Sequence, residues 1–203
     1  MIIVIIYSEK VLSEEMKRMH VQQVIETRRS IRSYTEQPVP VELVEALLET
    51  AMYAPNHKLR EPWRFVLAIE EGQTRYVDAL MELLTARGQF ETKTSEQRQQ
   101  AERKLREVPV YLTVLCQVQG TPDQQLEDTL ATAAMIQNLQ LVATERGLGC
   151  CWKSGKHWFT PEYASIVHAS ENERVLGVIQ IGWPALVPPV KPRTSLKDKL
   201  THF

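Results

Sequence analysis

The chain has 203 residues, of which 43% are hydrophobic and 24% are charged, and its formal net charge is −1. These values are ordinary for a globular protein, and the length fits one domain that buries a substantial core. The near-neutral balance gives no indication of a nucleic-acid-binding or membrane-surface protein, so we expect neither kind of partner.

The cysteine and apolar patterns indicate a cytoplasmic protein. The longest apolar run, residues 2–6, is too short to span a bilayer and has no basic leader or cleavage site. Cys116, Cys150 and Cys151 show no Cys-x-x-Cys spacing, which predicts reduced thiols. The five histidines are not spaced as metal ligands, so we predict no metal site.

In the first half of the chain, we predict a strand at residues 1–7 and a helix at residues 13–29, with Ser13 as its cap. We treat residues 1–19 as a peripheral extension of the single domain 1–203. Apolar residues at helical spacing predict a second helix at residues 41–53, which Pro55 ends. The further predicted elements are a strand at 63–69, a helix at 73–86 and a polar, solvated helix or mobile flap at 88–107.

In the second half, the pattern predicts strands at 108–118, 148–152 and 175–182 and helices at 126–146 and 161–169. The helix at 126–146 is apolar or alanine-rich almost all round, which indicates burial in the core or in a subunit interface. We expect Gly147 to cap it. Residues 184–203 hold four prolines and are predicted to extend along another surface.

Four basic or polar segments are the candidates for chemistry. Residues 28–32 bring together three arginines and Ser30, a set that suits phosphate oxygens. Residues 56–58 present an amide, an imidazole and an ammonium after a helix end, and residues 152–155 and 191–193 add further polar groups. Each segment alone is typical of solvated surface or core. Their order together predicts a cofactor with a phosphate and a ring, while the missing Gly-x-Gly-x-x-Gly argues against a Rossmann site.

With these segments, the chain resembles the flavin-dependent nitroreductase family, in particular its small, minimal bacterial members. The resemblance is carried by residues 25–34, 54–58 with 62–65, 147–149 with 152–155, and 181–184, and it covers about residues 20–200. It implies an α+β fold with an antiparallel-dominated central sheet flanked by helices. It also implies a homodimer with FMN at the subunit interface and C-terminal tails exchanged between the subunits.

The resemblance also implies a set of cofactor-binding residues. On one subunit, the groups expected at the phosphate and at the pyrimidine edge of the ring are Arg28, Arg29, Ser30 and Arg32. The same subunit is expected to line the flavin with Trp152, Lys153 and Ser154, and Arg193, with Lys191, resembles the family's late basic phosphate contacts. The other subunit is expected to contribute Tyr53 and His57.

The chain departs from many relatives at Leu59 and Glu61, where those carry a glycine-asparagine pair and a glutamine. We expect His57 or Lys58 to take over the ring contact that the asparagine makes in those relatives.

The function implied is an FMN oxidoreductase in which NADH or NADPH reduces electron-poor acceptors, such as nitroaromatics or quinones, by a ping-pong mechanism. No side-chain acid or base is obligatory, so no catalytic residue is assigned. Two alternatives keep the flavin: an enone or peroxide reductase or dehydrogenase, and a flavin-binding module without turnover. A third alternative is an RNA contact through the arginine cluster and the 88–107 segment. It predicts colourless protein and salt-sensitive RNA retention.

Overall fold

The computed structural model describes residues 20–155 and 157–203. The strand predicted at 1–7 and the Ser13 cap lie outside these residues. The helices are α1 (Val21–Thr27), α2 (Val41–Ala51), α3 (Glu71–Ala86), α4 (Ser95–Arg106), α5 (Pro122–Glu145) and α6 (Pro161–Ile166). The strands are β1 (Trp63–Ala68), β2 (Val110–Gln117), β3 (Gly149–Lys153) and β4 (Glu173–Gly182), and short 3₁₀ turns occupy His57–Leu59 and Leu196–Asp198.

The four strands form one sheet in the order β1-β2-β4-β3, and each neighbouring pair is antiparallel. Helices pack on both faces of this sheet. The predicted α+β class and the antiparallel-dominated sheet are therefore confirmed. A single parallel bridge between Ser30 and Cys150 adds a short extended segment beside β3.

Two apolar clusters form the core, one on each face of the sheet. On one face, α2 and α5 pack against β2 and β4 through residues such as Leu47, Met135 and Ile179. The other face is covered by α3 and α6, where the Tyr163 hydroxyl is hydrogen-bonded to Tyr76 at 2.7 Å. Burial of these large side chains removes apolar surface from water and holds the helices on the sheet.

Several helix ends differ from the predictions, for local reasons. Helix α5 begins at Pro122, ahead of the predicted residue 126, because Thr121 forms a capping box with Gln124. At its other end the predicted cap at Gly147 is confirmed: the Leu148 N–H donates to Ala143 O at 2.8 Å, and Gly147 has φ of 79°.

Three predicted helices end two or three residues earlier than expected, among them α6, which ends at Ile166 instead of residue 169. Helix α2 ends at Ala51, four residues before Pro55, so the proline does not end it. The helix predicted to reach residue 29 ends at Thr27, and Arg28 already has an extended backbone. Helix α4 confirms the solvated helix expected within 88–107, since it has no buried residue. None of the helices described is long and apolar enough to cross a membrane.

A buried carboxylate ties the two sides of β2 together. Glu173, at the start of β4, has a side chain only 4% exposed, and it accepts hydrogen bonds from Arg64 Nε at 2.6 Å and Nη2 at 2.8 Å. The Ser170 N–H donates to the same carboxylate at 2.9 Å. These donors, Arg64 above all, lower the pKa of Glu173 to about 2.

We predict that Glu173→Gln lowers the free energy of unfolding by about 1–3 kcal/mol at pH 7. The folded pKa lies below the ordinary value of 4.5, so the contribution is complete above that value and fades as the pH falls toward 2. Urea unfolding at pH 7 and pH 3 measures both. Glu162→Gln, which removes an exposed carboxylate paired with Arg87, is the control and should cost little. A destabilisation by Glu173→Gln that is equal at both pH values would contradict the assignment.

Candidate functional site

The arginine segment is fixed to the outer edge of β3. After α1 ends, Ser30 pairs in parallel with Cys150, and the Ile31 N–H donates to Cys150 O at 3.0 Å. Ile31 is buried, and it packs so closely over Gly149 that a Cβ added there would lie 2.7 Å from Ile31 Cβ. The segment is therefore held by both backbone pairing and side-chain packing.

A cleft of about 790 Å³ lies between this segment and the C-terminal tail. Five cationic side chains line it, while Glu26 is the only carboxylate among the lining residues. The cationic residues are Arg28, Arg29, Arg32, Lys191 and Arg193. Such an excess of positive charge around a concave surface favours an anionic ligand.

Arg29 provides a donor that the described chain does not use. Its Nη1 donates to Glu26 O at 2.8 Å and Arg28 O at 2.6 Å, which fixes the guanidinium. Its Nη2 is buried and has no hydrogen-bond partner among the described residues. A buried N–H without an acceptor is costly, so this atom is suited to an oxygen of a ligand. Arg28 is directed by buried Gln140, whose Oε1 accepts from Arg28 Nη1 at 3.4 Å.

The predicted segment 152–155 lies next to the arginine segment 28–32. Trp152 and Lys153 end β3, only two or three residues beyond Cys150, and exposed Ser154 follows them. Trp152 is 36% exposed, and its Nε1 donates to Leu176 O at 3.2 Å. These three residues do not line the basic cleft itself. They continue the same sheet edge beyond it.

The cysteines of β3 are not placed for thiol chemistry. Cys150 and Cys151 are free and buried. Burial raises the pKa of Cys150 to about 12, so the thiol stays protonated and is a poor nucleophile. Among the residues described, no group of three metal-ligating side chains occurs either.

Tyr53 and His57 do not join the cleft of their own chain. Tyr53, just after α2, is 90% exposed. The following loop holds three non-glycine residues with positive φ: Lys58 (56°), Leu59 (51°) and Glu61 (45°). Such conformations cost energy and are concentrated at functional sites. The Asn56 side chain stabilises the loop, since its Oδ1 accepts from the Glu61 N–H at 2.9 Å.

Acidic residues of α5 hold this loop, a feature that the sequence reasoning missed. Glu127 Oε2 lies 2.9 Å from His57 Nδ1 and 2.8 Å from Arg60 Nη2. Arg60 Nε also donates to Asp128 Oδ1 at 2.8 Å. Hydrogen bonds from Arg60 and then His57 lower the pKa of Glu127. The partners lie about 70 positions apart in sequence, so no local spacing could have indicated the network.

The structure thus brings together Arg28, Arg29, Ser30, Arg32 and Arg193 at one cleft and places Trp152, Lys153 and Ser154 on the strand beside it. Their contacts with a flavin stay predictions. The fold and the cleft define an α+β domain with a basic cleft at the edge of an antiparallel sheet.

Comparison with known proteins gives the family. The model of the nitroreductase family matches residues 25–183. YfhC of Bacillus subtilis (strain 168), provisionally named an NAD(P)H nitroreductase, is 37% identical over 181 residues, which are 89% of this chain and 92% of that protein. The chain therefore belongs to the nitroreductase family and is an oxidoreductase.

Solved structures of similar fold agree with this family assignment. A nitroreductase-like family protein from Bacillus cereus superposes with a TM-score of 0.80 and 34% identity, over 91% of this chain and 96% of that one. NfnB, an FMN- and NADPH-dependent nitroreductase from Sphigopyxis sp. strain HMH, has a TM-score of 0.71 over 91% of this chain and 99% of its own. It is 16% identical, so it supports the fold alone.

We predict that Gly149→Ala lowers the free energy of unfolding by about 1–3 kcal/mol, because the new methyl group would overlap Ile31 at the base of the arginine segment. Urea unfolding measures the change. Gly72→Ala is the matched control: the nearest atom to its added Cβ is Arg75 Nη2 at 4.0 Å, and alanine is a better helix former. Equal stability of the two variants would show that Ile31 does not pack on Gly149 as described.

Proposed function

We propose that this protein is an FMN-dependent oxidoreductase that uses NADH or NADPH to reduce electron-poor acceptors such as nitroaromatics or quinones. The observation that carries the proposal is the buried Arg29 Nη2 without a partner among the described residues, in a cleft lined by five cationic side chains. That donor set fits a phosphate group. Membership of the nitroreductase family supports the choice of ligand. NfnB, which shares the fold, is named as FMN-dependent.

The residues divide into a phosphate end and a ring end. Arg28, Arg29 and Ser30 bind the FMN phosphate, with Lys191 and Arg193 closing the cleft from the tail. Arg32 puts a positive charge near the pyrimidine edge of the ring, where negative charge is stabilised. Trp152, Lys153 and Ser154, which continue the sheet edge beyond the cleft, would line the ring.

The bound flavin supplies the hydride chemistry, and the protein supplies binding, orientation and charge. The nicotinamide and the acceptor occupy the same slot in turn, which gives ping-pong kinetics. No side chain is assigned as an obligatory acid or base.

We further propose that the site is completed in a homodimer. Tyr53 and His57 of a second copy cover the flavin, which explains why both lie outside the cleft of their own chain. Helix α5 exposes Leu126 and Leu130, and the tail exposes Leu186 and other apolar residues, all of which a second copy would bury. Among the described residues only β2 pairs with β1, so the part of the exchanged tail that follows Arg193 has an open sheet edge to join on the second copy.

The free, buried cysteines fit a reducing compartment, so we place the protein in the cytoplasm.

Anaerobic reduction tests the proposed function. We expect purified protein to be yellow, to sediment as a dimer, and to lose its visible flavin absorbance on addition of NADH or NADPH under nitrogen. A nitroaromatic or a quinone should then restore the absorbance. Yellow protein that neither nicotinamide bleaches would favour a flavin-binding module without turnover. Colourless, monomeric protein that takes up no FMN would refute the proposal.

Substitution tests the phosphate end. We predict that Arg29→Ala weakens FMN binding by at least about tenfold, because charged hydrogen bonds of about 1.5–3 kcal/mol are lost. Titration of the apoprotein with FMN measures the dissociation constant. Arg75→Ala, which removes an exposed arginine of α3, should bind FMN like the wild type. If Arg29→Ala also binds FMN like the wild type, the phosphate lies elsewhere.

A further inference from the structure

Strand β4 contains a bulge beside the proposed ring end of the site. In the pairing of β2 with β4, Val114 lies opposite Gly177 and Leu115 lies opposite Val175. Leu176 is therefore an extra residue of β4. Bulges bend a strand, re-aim its groups and are over-represented next to active sites. Here the Leu176 carbonyl accepts the hydrogen bond from Trp152 Nε1 at 3.2 Å.

Gly177, the next residue, has no side chain and so leaves space for the Trp152 ring. Its φ of 152° is a conformation that residues with side chains rarely adopt. A Cβ added there would overlap Trp152 Nε1 and would lie 2.7 Å from Trp152 Cδ1 and from Lys153 O. The indole thus occupies the space that any larger residue would fill. The bulge fixes the ring in two ways: it accepts the ring's hydrogen bond, and it leaves room beside the ring.

We propose that the Leu176–Gly177 bulge is a positioning device for Trp152, which presents the face of its indole ring, and not its N–H, to the aromatic ring of the bound ligand. This inference rests on the proposed function, since it takes FMN as the ligand. Leu176 and Gly177 act through Trp152 and do not themselves touch the ligand.

The partial exposure of Trp152 supports this role. Trp152 remains 36% exposed although its Nε1 is engaged by Leu176 O, so part of the residue is accessible to a ligand while its donor is already used. A ring fixed before binding loses little rotamer entropy when a ligand arrives. Flat aromatic ligands gain from offset or edge contacts with such a ring.

The experiment compares FMN affinity in four variants by titration of the apoprotein. Trp152→Phe keeps a ring and removes the N–H, so we expect binding within about threefold of the wild type. For Trp152→Ala we expect binding about five- to tenfold weaker, because the aromatic contact is lost. Gly177→Ala displaces the ring and should weaken binding by about the same factor. In the Trp152→Ala background, Gly177→Ala should change the affinity by less than about twofold, because it acts through the missing ring.

Folding is checked separately by near-ultraviolet circular dichroism and urea unfolding of each apoprotein, with Gly72→Ala as the glycine control. If Gly177→Ala does not fold, the comparison of Trp152→Phe with Trp152→Ala decides. Equal losses in those two variants mean that an aromatic face at this position contributes nothing to binding, which overturns the inference. Additive losses in the double variant overturn it as well.

Failure of the inference can be told apart from failure of the proposed function. Wild-type protein that binds no FMN refutes the proposed function, and the ligand assigned to Trp152 falls with it. Wild-type protein that binds FMN, with Gly177→Ala folded and binding equally well, overturns only the role of the bulge.

Discussion

The attachment of residues 28–32 to the outer edge of β3 is the constraint on which the site depends. The Ile31 N–H bonds to Cys150 O, and the Ile31 side chain packs over a glycine that leaves no room for a methyl group. Backbone pairing sets the register of the segment, and packing sets its depth. Together they place the arginines beside a strand that ends in Trp152 and Lys153, so that a basic cleft and an aromatic side chain share one sheet edge.

Charge in this protein is used in two different ways. The ion pair of Arg64 with Glu173 is satisfied within the chain, is partly shielded from water and ties β1 to β4. The arginines of the cleft have no ion-pair partner among the described side chains, and one buried N–H is unpaired there. The charges of Arg64 and Glu173 neutralise each other within the fold, whereas the charges of the cleft arginines are neutralised only when an anionic ligand binds. This contrast distinguishes the arginines of the cleft from an arginine that is paired within the fold.

Local backbone irregularities occur at the ends of regular elements around the proposed site. The loop after α2 has three non-glycine residues with positive φ, and it is held to α5 by Arg60 with Glu127 and Asp128. The bulge in β4 lies directly beside Trp152. Rigid helices and strands thus supply the attachment points, and the irregular segments between or within them aim particular side chains.

From the sequence by itself, hydrophobic periodicity and turn residues predicted nearly all of the helices and strands that the structure describes, and the composition of residues 28–32 indicated the arginine segment. The α+β class and the family came from the resemblance carried by short motifs. Helix ends were predicted less accurately. Helix α5 begins before the predicted residue because Thr121 and Gln124 form a capping box, and α2 ends at Ala51, before Pro55. Only the tertiary structure brought residue 30 to residue 150, Arg60 to Asp128 and Gly177 to Trp152. Contacts of that kind depend on how the sheet is ordered and how helices pack on it, and no pattern within a short window of sequence encodes them.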